Sequence, residues 1–428
     1  MLRALRQRSV AGGVYTPAIL LLVFVVGTSY LGVGFILPLR ALYGRSVGAS
    51  SGEIGLMASS ALLTGFLSAP LIGRLSDRLG HGYVLFAGLV VHALLVLAYI
   101  PIENPVALIA LRGLEGIAVV GIMPPARAIA NTLAPPTRQA ETLGLMSAAQ
   151  TVGILLGPTF GLLLASAVGY HYAFLVASVP LAIGAVLAWI YLPRRASIVT
   201  TDATPRAVRA ALFTRPLALA YSLQLILATT QGVGAAVWTI YMADLGATPL
   251  VIGLSFTTFA VPNILLAPVA GRMADRYGRY WYVLLGIAVC GVLFVIYGLP
   301  INPIWLVILS VPEGIAAAFA RTAIDGLLAD ATPPALRGRV QAVYSAAGTG
   351  SAFVVATVSG FVYGLYRGLP FFMVGGIFLA GAGALLLPSV ARMFAPGVAT
   401  PSERDDFLES VEEFPPAEEL ARERVVSE

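Results

Sequence analysis

The chain has 428 residues, of which 58% are hydrophobic and only 11% charged, with a mean hydropathy of +0.88 and a net charge of +5. A soluble domain carries roughly 25% charged residues, so this composition excludes a water-soluble globule and makes lipid the solvent. The single cysteine, Cys290, excludes an internal disulfide and a cysteine-based metal site, and the three histidines (His81, His92, His171) are scattered, so no metal or other cofactor is expected.

Taken in order, apolar runs close to the 20 or so residues that span a bilayer recur twelve times. They lie at about 17–39, 53–73, 82–101, 106–130, 141–167, 171–193, 217–242, 251–271, 280–299, 304–329, 340–365 and 370–392. The runs are continuous and do not alternate, which predicts helices and not a barrel. The expected fold is an all-α membrane protein with twelve transmembrane helices. Residues 1–16 form a basic lead with Arg3, Arg6 and Arg8. The apolar run behind it is too long for a signal-peptide core and reads as a retained first helix. Residues 17–193 make a first half of six helices and 217–392 a second. Between them, residues 194–216 form a polar linker carrying Arg194, Arg195, Arg206, Arg209 and Arg215, with a candidate surface helix at 205–213. Residues 393–428 hold ten of the 21 acidic residues and are expected to be an exposed, disordered tail.

All 26 basic residues are arginines. With the N-terminus inside, 20 fall in cytoplasmic segments, three outside (Arg40, Arg45, Arg367) and three within helices. This follows the positive-inside rule, places both termini in the cytoplasm of a cell (plasma or inner) membrane, and argues against a nucleic-acid partner.

The two halves repeat one another at a constant offset of 198 residues. Gly73, Arg74, Asp77, Arg78 and Gly80 return as Gly271, Arg272, Asp275, Arg276 and Gly278. Further along, Glu115-Gly116-Ile117-Ala118 returns as Glu313-Gly314-Ile315-Ala316, and Pro135-Pro136 as Pro333-Pro334. Six helices per copy makes these parallel six-helix repeats about an axis along the membrane normal, the arrangement of two-domain secondary transporters.

Within the helices the charges are Arg112, Glu115, Glu313 and Arg321, with Arg127 and Asp325 near the cytoplasmic ends. At 1.5 Å per residue, Glu115 and Glu313 each lie about 15 Å along their helices, near the midplane of a core about 30 Å thick. Ionisable groups at that depth are expected to face a water-filled cavity. Arg112 sits three residues before Glu115, on the same helix face, and should keep it ionised. Glu313 has no basic residue within a turn, so it is the expected proton carrier, with Arg112–Glu115 as a charge sensor. Pro312 should disturb the helix beside Glu313. Arg127 and Asp325 hold equivalent positions with opposite charge and are expected to pair as a gate when the cavity faces out. Gln224, Gln231 and Trp238 recur every seven residues. With Tyr30 and Asn263 they are candidates for a cavity wall suited to an amphipathic solute.

The Gly-x-x-x-Asp-Arg-x-Gly loops resemble the signature of the major facilitator superfamily between helices 2 and 3, with its echo between helices 8 and 9. Arg112-Gly113-Leu114-Glu115-Gly116 resembles that family's helix 4 motif. Gly153, Gly157, Pro158 and Gly161 resemble its helix 5 motif, typical of proton-coupled exporters and similar to the twelve-helix drug:proton antiporter branch. Two departures stand out: Leu162 replaces a frequent second glycine, and helix 1 lacks the acid often found there. The resemblance implies that Gly73, Arg74, Asp77, Arg78, Gly80, Asp275 and Arg276 form a cytoplasmic gate. Asp77 would face the start of helix 11 near Arg339, and Asp275 the start of helix 5 near Glu141. Small residues spaced by four along helices 5 and 11 are read as smooth faces on which the halves rock.

The reading is a secondary active transporter of a small molecule, exchanging it for protons by alternating access and working as a monomer in membrane lipid. Efflux of amphipathic or hydrophobic compounds leads. Alternatives are a sugar, metabolite or lipid carrier of either direction, and a non-transporting membrane sensor. No catalytic or nucleotide-binding motif marks an enzyme.

Overall fold

The structure, a computed structural model, describes residues 16–135, 138–192, 212–333 and 336–394. The basic lead, the linker with its candidate helix and the acidic tail fall almost wholly outside the described residues. No strand occurs among those described. The first half contains α1 (Pro17–Ser46), α2 (Ser51–Leu79), α3 (His81–Leu97), α4 (Pro105–Val120, resuming as Met123–Leu133), α5 (Gln139–Val168) and α6 (Tyr170–Tyr191). The second contains α7 (Arg215–Val233, a π turn at Gly234–Trp238, then Thr239–Asp244), α8 (Pro249–Tyr277), α9 (Tyr280–Tyr297), α10 (Pro303–Asp330), α11 (Arg337–Leu365) and α12 (Leu369–Leu385). Ten of these twelve rods are long and apolar enough to cross a bilayer unaided. α3 is shorter, and α12 bends by 75° into Pro388–Phe394.

Local sequence explains the starts. Thr16, Ser50, Asn104, Thr248 and Asn302 cap helices with side-chain oxygens, satisfying backbone N–H groups that have no partner in the first turn. Proline follows the cap at Pro17, Pro105, Pro249 and Pro303, where a missing N–H costs nothing. The turn after each charged loop needs Gly80 and Gly278, whose φ angles of 102° and 85° disfavour any side chain.

One expectation about helix continuity is corrected. α4 is not one rod: it breaks at Gly121–Ile122, where Pro124 and Pro125 remove two consecutive N–H donors. α10 has no such break, because the repeat positions of Pro124 and Pro125 carry Thr322 and Ala323; Pro312 lies inside the continuous helix. The first outer loop also starts later than expected. α1 continues to Ser46, so Arg40 lies inside the helix and is 5% exposed.

The glycine face of α5 is turned onto α1 of its own half, not onto the other half. A β-carbon at Gly153 would sit 2.6 Å from the Leu31 nitrogen, and one at Gly157 2.5 Å from the Gly34 carbonyl carbon. That stripe lets two backbones of one half pack closely, and the expectation of a rocking surface on α5 glycines is overturned. Contact between halves is made elsewhere. Gly55 of α2 meets Gly360 of α11, and Gly253 of α8 meets Thr159 of α5. Both contacts lie toward the end opposite the charged loops.

Candidate functional site

The repeat builds two homologous pockets from the same scaffold and fills them differently. In each half a tyrosine at the end of the third helix of that half reaches the glutamate of the next helix. Tyr99 donates to Glu115 Oε2 at 3.0 Å, and Tyr297 donates to Glu313 Oε2 at 2.9 Å. The numbering offset of 198 holds for both partners.

Around Glu115 the first half adds cations. Arg40 Nη2 donates to Oε1 at 3.1 Å and Arg112 Nη1 to Oε2 at 2.9 Å. His92 Nε2 stands 3.7 Å from Oε1. The Glu115 side chain is fully buried. It was expected to face an aqueous cavity; it is instead sealed inside the first half, because α1 carries Arg40 inward to neutralise it. The sequence offered a signal in hindsight, since Arg40 closes an otherwise apolar run.

The second half replaces each of these partners. Arg40, His92 and Arg112 become Trp238, Cys290 and Ser310 at the offset of 198. Glu313 keeps only the tyrosine, and no cation lies within salt-bridge distance of it among the described residues. Cys290 and Ser310 are smaller than the groups they replace, and this half holds a cavity of about 310 Å³, lined by Glu313, Tyr297, Trp238, Gln231, Asn263 and Arg321 together with aromatic rings that include Phe256 and Phe259. Trp238 Nε1 donates to Ser255 Oγ at 2.9 Å and Asn263 Nδ2 to the Gly314 carbonyl at 3.3 Å, which fixes both side chains against the wall. Gln224 and Tyr30 are buried away from this cavity. Gln224 packs against Gly348, with its Oε1 unpartnered.

Among the described residues, no ion pair or hydrogen bond joins the charged loops to the other half. Asp77 is exposed, Asp275 bonds Arg279 at 3.4 Å, and Glu141 bonds Arg138 at 2.9 Å. Arg279 also pairs with Asp330. Gly73, Gly144 and Gly338 have open space beside them. Arg127 and Asp325 are not paired either. Asp325 accepts from Tyr344 at 3.0 Å within its own half. At the opposite end the halves are tied. Arg45 Nη1 of α1 reaches Asp244 Oδ1 of α7 at 2.8 Å, joined by Tyr363 at 2.6 Å and Arg367 at 3.7 Å. This is the one ion pair between halves among the described residues. Sequence reasoning missed it, although Arg45 and Arg367 stood out as two of the few outer arginines. No three His, Cys, Asp or Glu side chains gather as metal ligands would among the described residues.

The Major Facilitator Superfamily model matches residues 19–233 and again 217–422. The chain belongs to the major facilitator superfamily. It is thus a multi-pass membrane transporter of small molecules, and the doubled match mirrors the repeat. Among relatives, a "Multi-drug resistance efflux pump PmrA homolog" of Lactococcus lactis is 25% identical over 327 residues, 72% of this chain and 78% of that protein. "Multidrug resistance protein MdtG" of Serratia proteamaculans is 27% identical over 267 residues, 60% of this chain and 64% of that protein. An uncharacterized MFS-type transporter of Methanocaldococcus jannaschii is 32% identical over 147 residues, 34% of this chain and only 38% of that protein. Among solved structures, the nucleoside transporter NupG superposes with a TM-score of 0.72 at 15% identity, covering 88% of this chain and 99% of that one. The human organic anion transporter MFSD10 superposes with a TM-score of 0.61 at 19% identity, covering 86% and 98%. These structural likenesses establish the fold alone.

Proposed function

We propose that this transporter is a proton-coupled exporter of small amphipathic or hydrophobic compounds, with the charged loops and both termini on the cytoplasmic side of the cell membrane. The observation that carries the reading is the unequal treatment of the two midplane acids. Glu115 is locked by Arg40 and Arg112, whereas Glu313 faces a cavity with Tyr297 as its only hydrogen-bond partner among the described residues. A carboxyl group in that setting can carry a proton without breaking a salt bridge. The aromatic wall of the same cavity suits a hydrophobic solute, and the names of the efflux relatives support the direction.

In this reading the described arrangement is the inward-open state. Arg45–Asp244 and the Gly55–Gly360 contact close the outer end, while Asp77 and Asp275 are disengaged. Substrate enters from the cytoplasm and Glu313 gives up its proton there. Closure of the loops, with Asp77 near Arg339, Asp275 near Glu141 and Arg127 near Asp325, replaces the outer ties as the cavity turns outward. A proton from outside then neutralises Glu313 as the substrate leaves.

The test is dye accumulation in efflux-deficient cells, with and without an uncoupler. Lower accumulation with the wild-type protein, abolished by the uncoupler, is the expected result. No effect on any of several cationic and neutral dyes would remove the multidrug reading.

A further inference from the structure

A second cavity, of about 740 Å³, opens on the membrane-facing side of the first half and has almost no polar lining. Leu75 and Leu79 of α2, Val91 and Leu95 of α3, and Leu114 and Ile117 of α4 line it, with Tyr83 and Trp189 among the residues toward the charged-loop end. Its floor is backbone: a β-carbon at Gly88 would stand 3.0 Å from the carbonyl group of Gly121, so α3 and α4 touch there without side chains. From Tyr83 to Leu95 the groove runs about 18 Å at 1.5 Å per residue. That is about half of a hydrocarbon core about 30 Å thick, the depth of one leaflet. Aromatic residues such as Tyr83 and Trp189 settle at headgroup level.

The repeat supplies an internal comparison. At the offset of 198, Gly121 becomes Phe319, Val84 becomes Tyr282 and Ala87 becomes Leu285. Phe319 and Tyr282 stack with centroids 5.5 Å apart, so the second half fills with two rings the place the first half leaves open. The arginines differ in the same sense. Arg276 lies over the Tyr277 ring and Arg272 donates to the Pro268 carbonyl. Their counterparts Arg74 and Arg78, each directly preceding a groove residue, are exposed and have no ion-pair or hydrogen-bond partner among the described residues. Long arginine side chains at such a position extend toward the headgroups.

We propose that this groove is a binding site for one anionic phospholipid, with an acyl chain lying between α2, α3 and α4 and the phosphate group on Arg74 and Arg78. The occupant is a lipid because the groove opens to the membrane and matches one leaflet in depth. It is an anionic one because Arg74 and Arg78, without a partner among the described residues, stand next to the groove residues Leu75 and Leu79, whereas Asp77 falls on the opposite face of α2. The equivalent surface of the second half, plugged and with its arginines engaged, has no such site.

Trp189 reports the groove directly. The experiment uses full-length protein keeping only Trp189 (Trp238, Trp281 and Trp305 replaced by Phe), in mixed phosphatidylglycerol and phosphatidylcholine vesicles. Either lipid is brominated in turn, and quenching is compared at equal mole fraction. Two arginines near the headgroups, at about 1 kcal/mol each, predict a preference for phosphatidylglycerol of up to about thirtyfold. A protein keeping only Trp281, the repeat counterpart of Tyr83, should show no preference. Arg74→Gln with Arg78→Gln, and separately Gly121→Phe, should bring the Trp189 preference to that control. If Gly121→Phe does not fold, Ala87→Leu, which copies Leu285, serves as the plug. Equal quenching by the two lipids at Trp189, or a preference that survives both the arginine and the plug variants, overturns the site.

Discussion

Arg45 and Asp244 are joined at 2.8 Å between α1 of the first half and the last residue of α7 in the second. Asp244 also accepts from Tyr363 at 2.6 Å, so one carboxylate gathers three helices at the end opposite the charged loops. Closure therefore rests on a polar tie that can be exchanged, beside the close backbone approach of Gly55 and Gly360.

Loss of this tie should shift the protein toward the outward-open state. A partly exposed ion pair is worth up to about 1 kcal/mol, which corresponds to a shift of about fivefold in the equilibrium. With Gln231→Cys as the reporter in a Cys290→Ser background, Asp244→Asn should raise labelling by an impermeant thiol reagent from outside about fivefold. Exchanging the charges, Arg45→Asp with Asp244→Arg, should return it toward the parent rate. Unchanged labelling in Asp244→Asn would exclude the tie as a gate.

The two midplane glutamates should differ in stability when neutralised. Glu115→Gln leaves the buried Arg40 and the partly buried Arg112 without a counter-charge, and breaking a buried pair costs about 3–5 kcal/mol. Thermal unfolding in detergent should fall by on the order of 10 °C. Glu313→Gln strands no cation and should unfold within a few degrees of wild type. Equal losses in the two variants would contradict the assignment of Glu115 to structure.

Gly157 and Gly144 occupy the same helix but should tolerate alanine differently. A β-carbon at Gly157 would lie 2.5 Å from the Gly34 carbonyl carbon on α1, whereas one at Gly144 meets nothing within 4 Å. Gly157→Ala should sharply lower the yield of folded protein, and Gly144→Ala should be neutral or slightly stabilising. Size-exclusion profiles and melting curves of the two variants distinguish these outcomes.

Much of the fold was legible because lipid imposes strict terms. A run of apolar residues long enough to cross must be helical, and the 198-residue offset aligns the two halves from the sequence alone. What escaped was set by tertiary contact. The break in α4 came from Pro124 and Pro125 acting together with Gly121, within a run apolar enough to read as one helix. Arg40 looked like a loop residue because charge usually marks the end of a span; only the position of Glu115 on another helix explains why it is drawn inward. The stripe of Gly153, Gly157 and Gly161 announced close packing but not the partner, since spacing along one helix does not identify the facing helix. For the candidate site, residue type singled out Glu313, Gln231, Trp238 and Asn263, which line one cavity. The same reasoning could not separate them from Gln224, whose burial depends on Gly348.

The most direct test of the account is transport by purified protein in liposomes with an imposed pH gradient, comparing wild type with Glu313→Gln. The account predicts that the wild type drives dye movement against its gradient. Glu313→Gln should still exchange dye for dye but lose gradient-driven accumulation. Undiminished proton-driven accumulation in Glu313→Gln would contradict the central claim that Glu313 carries the proton.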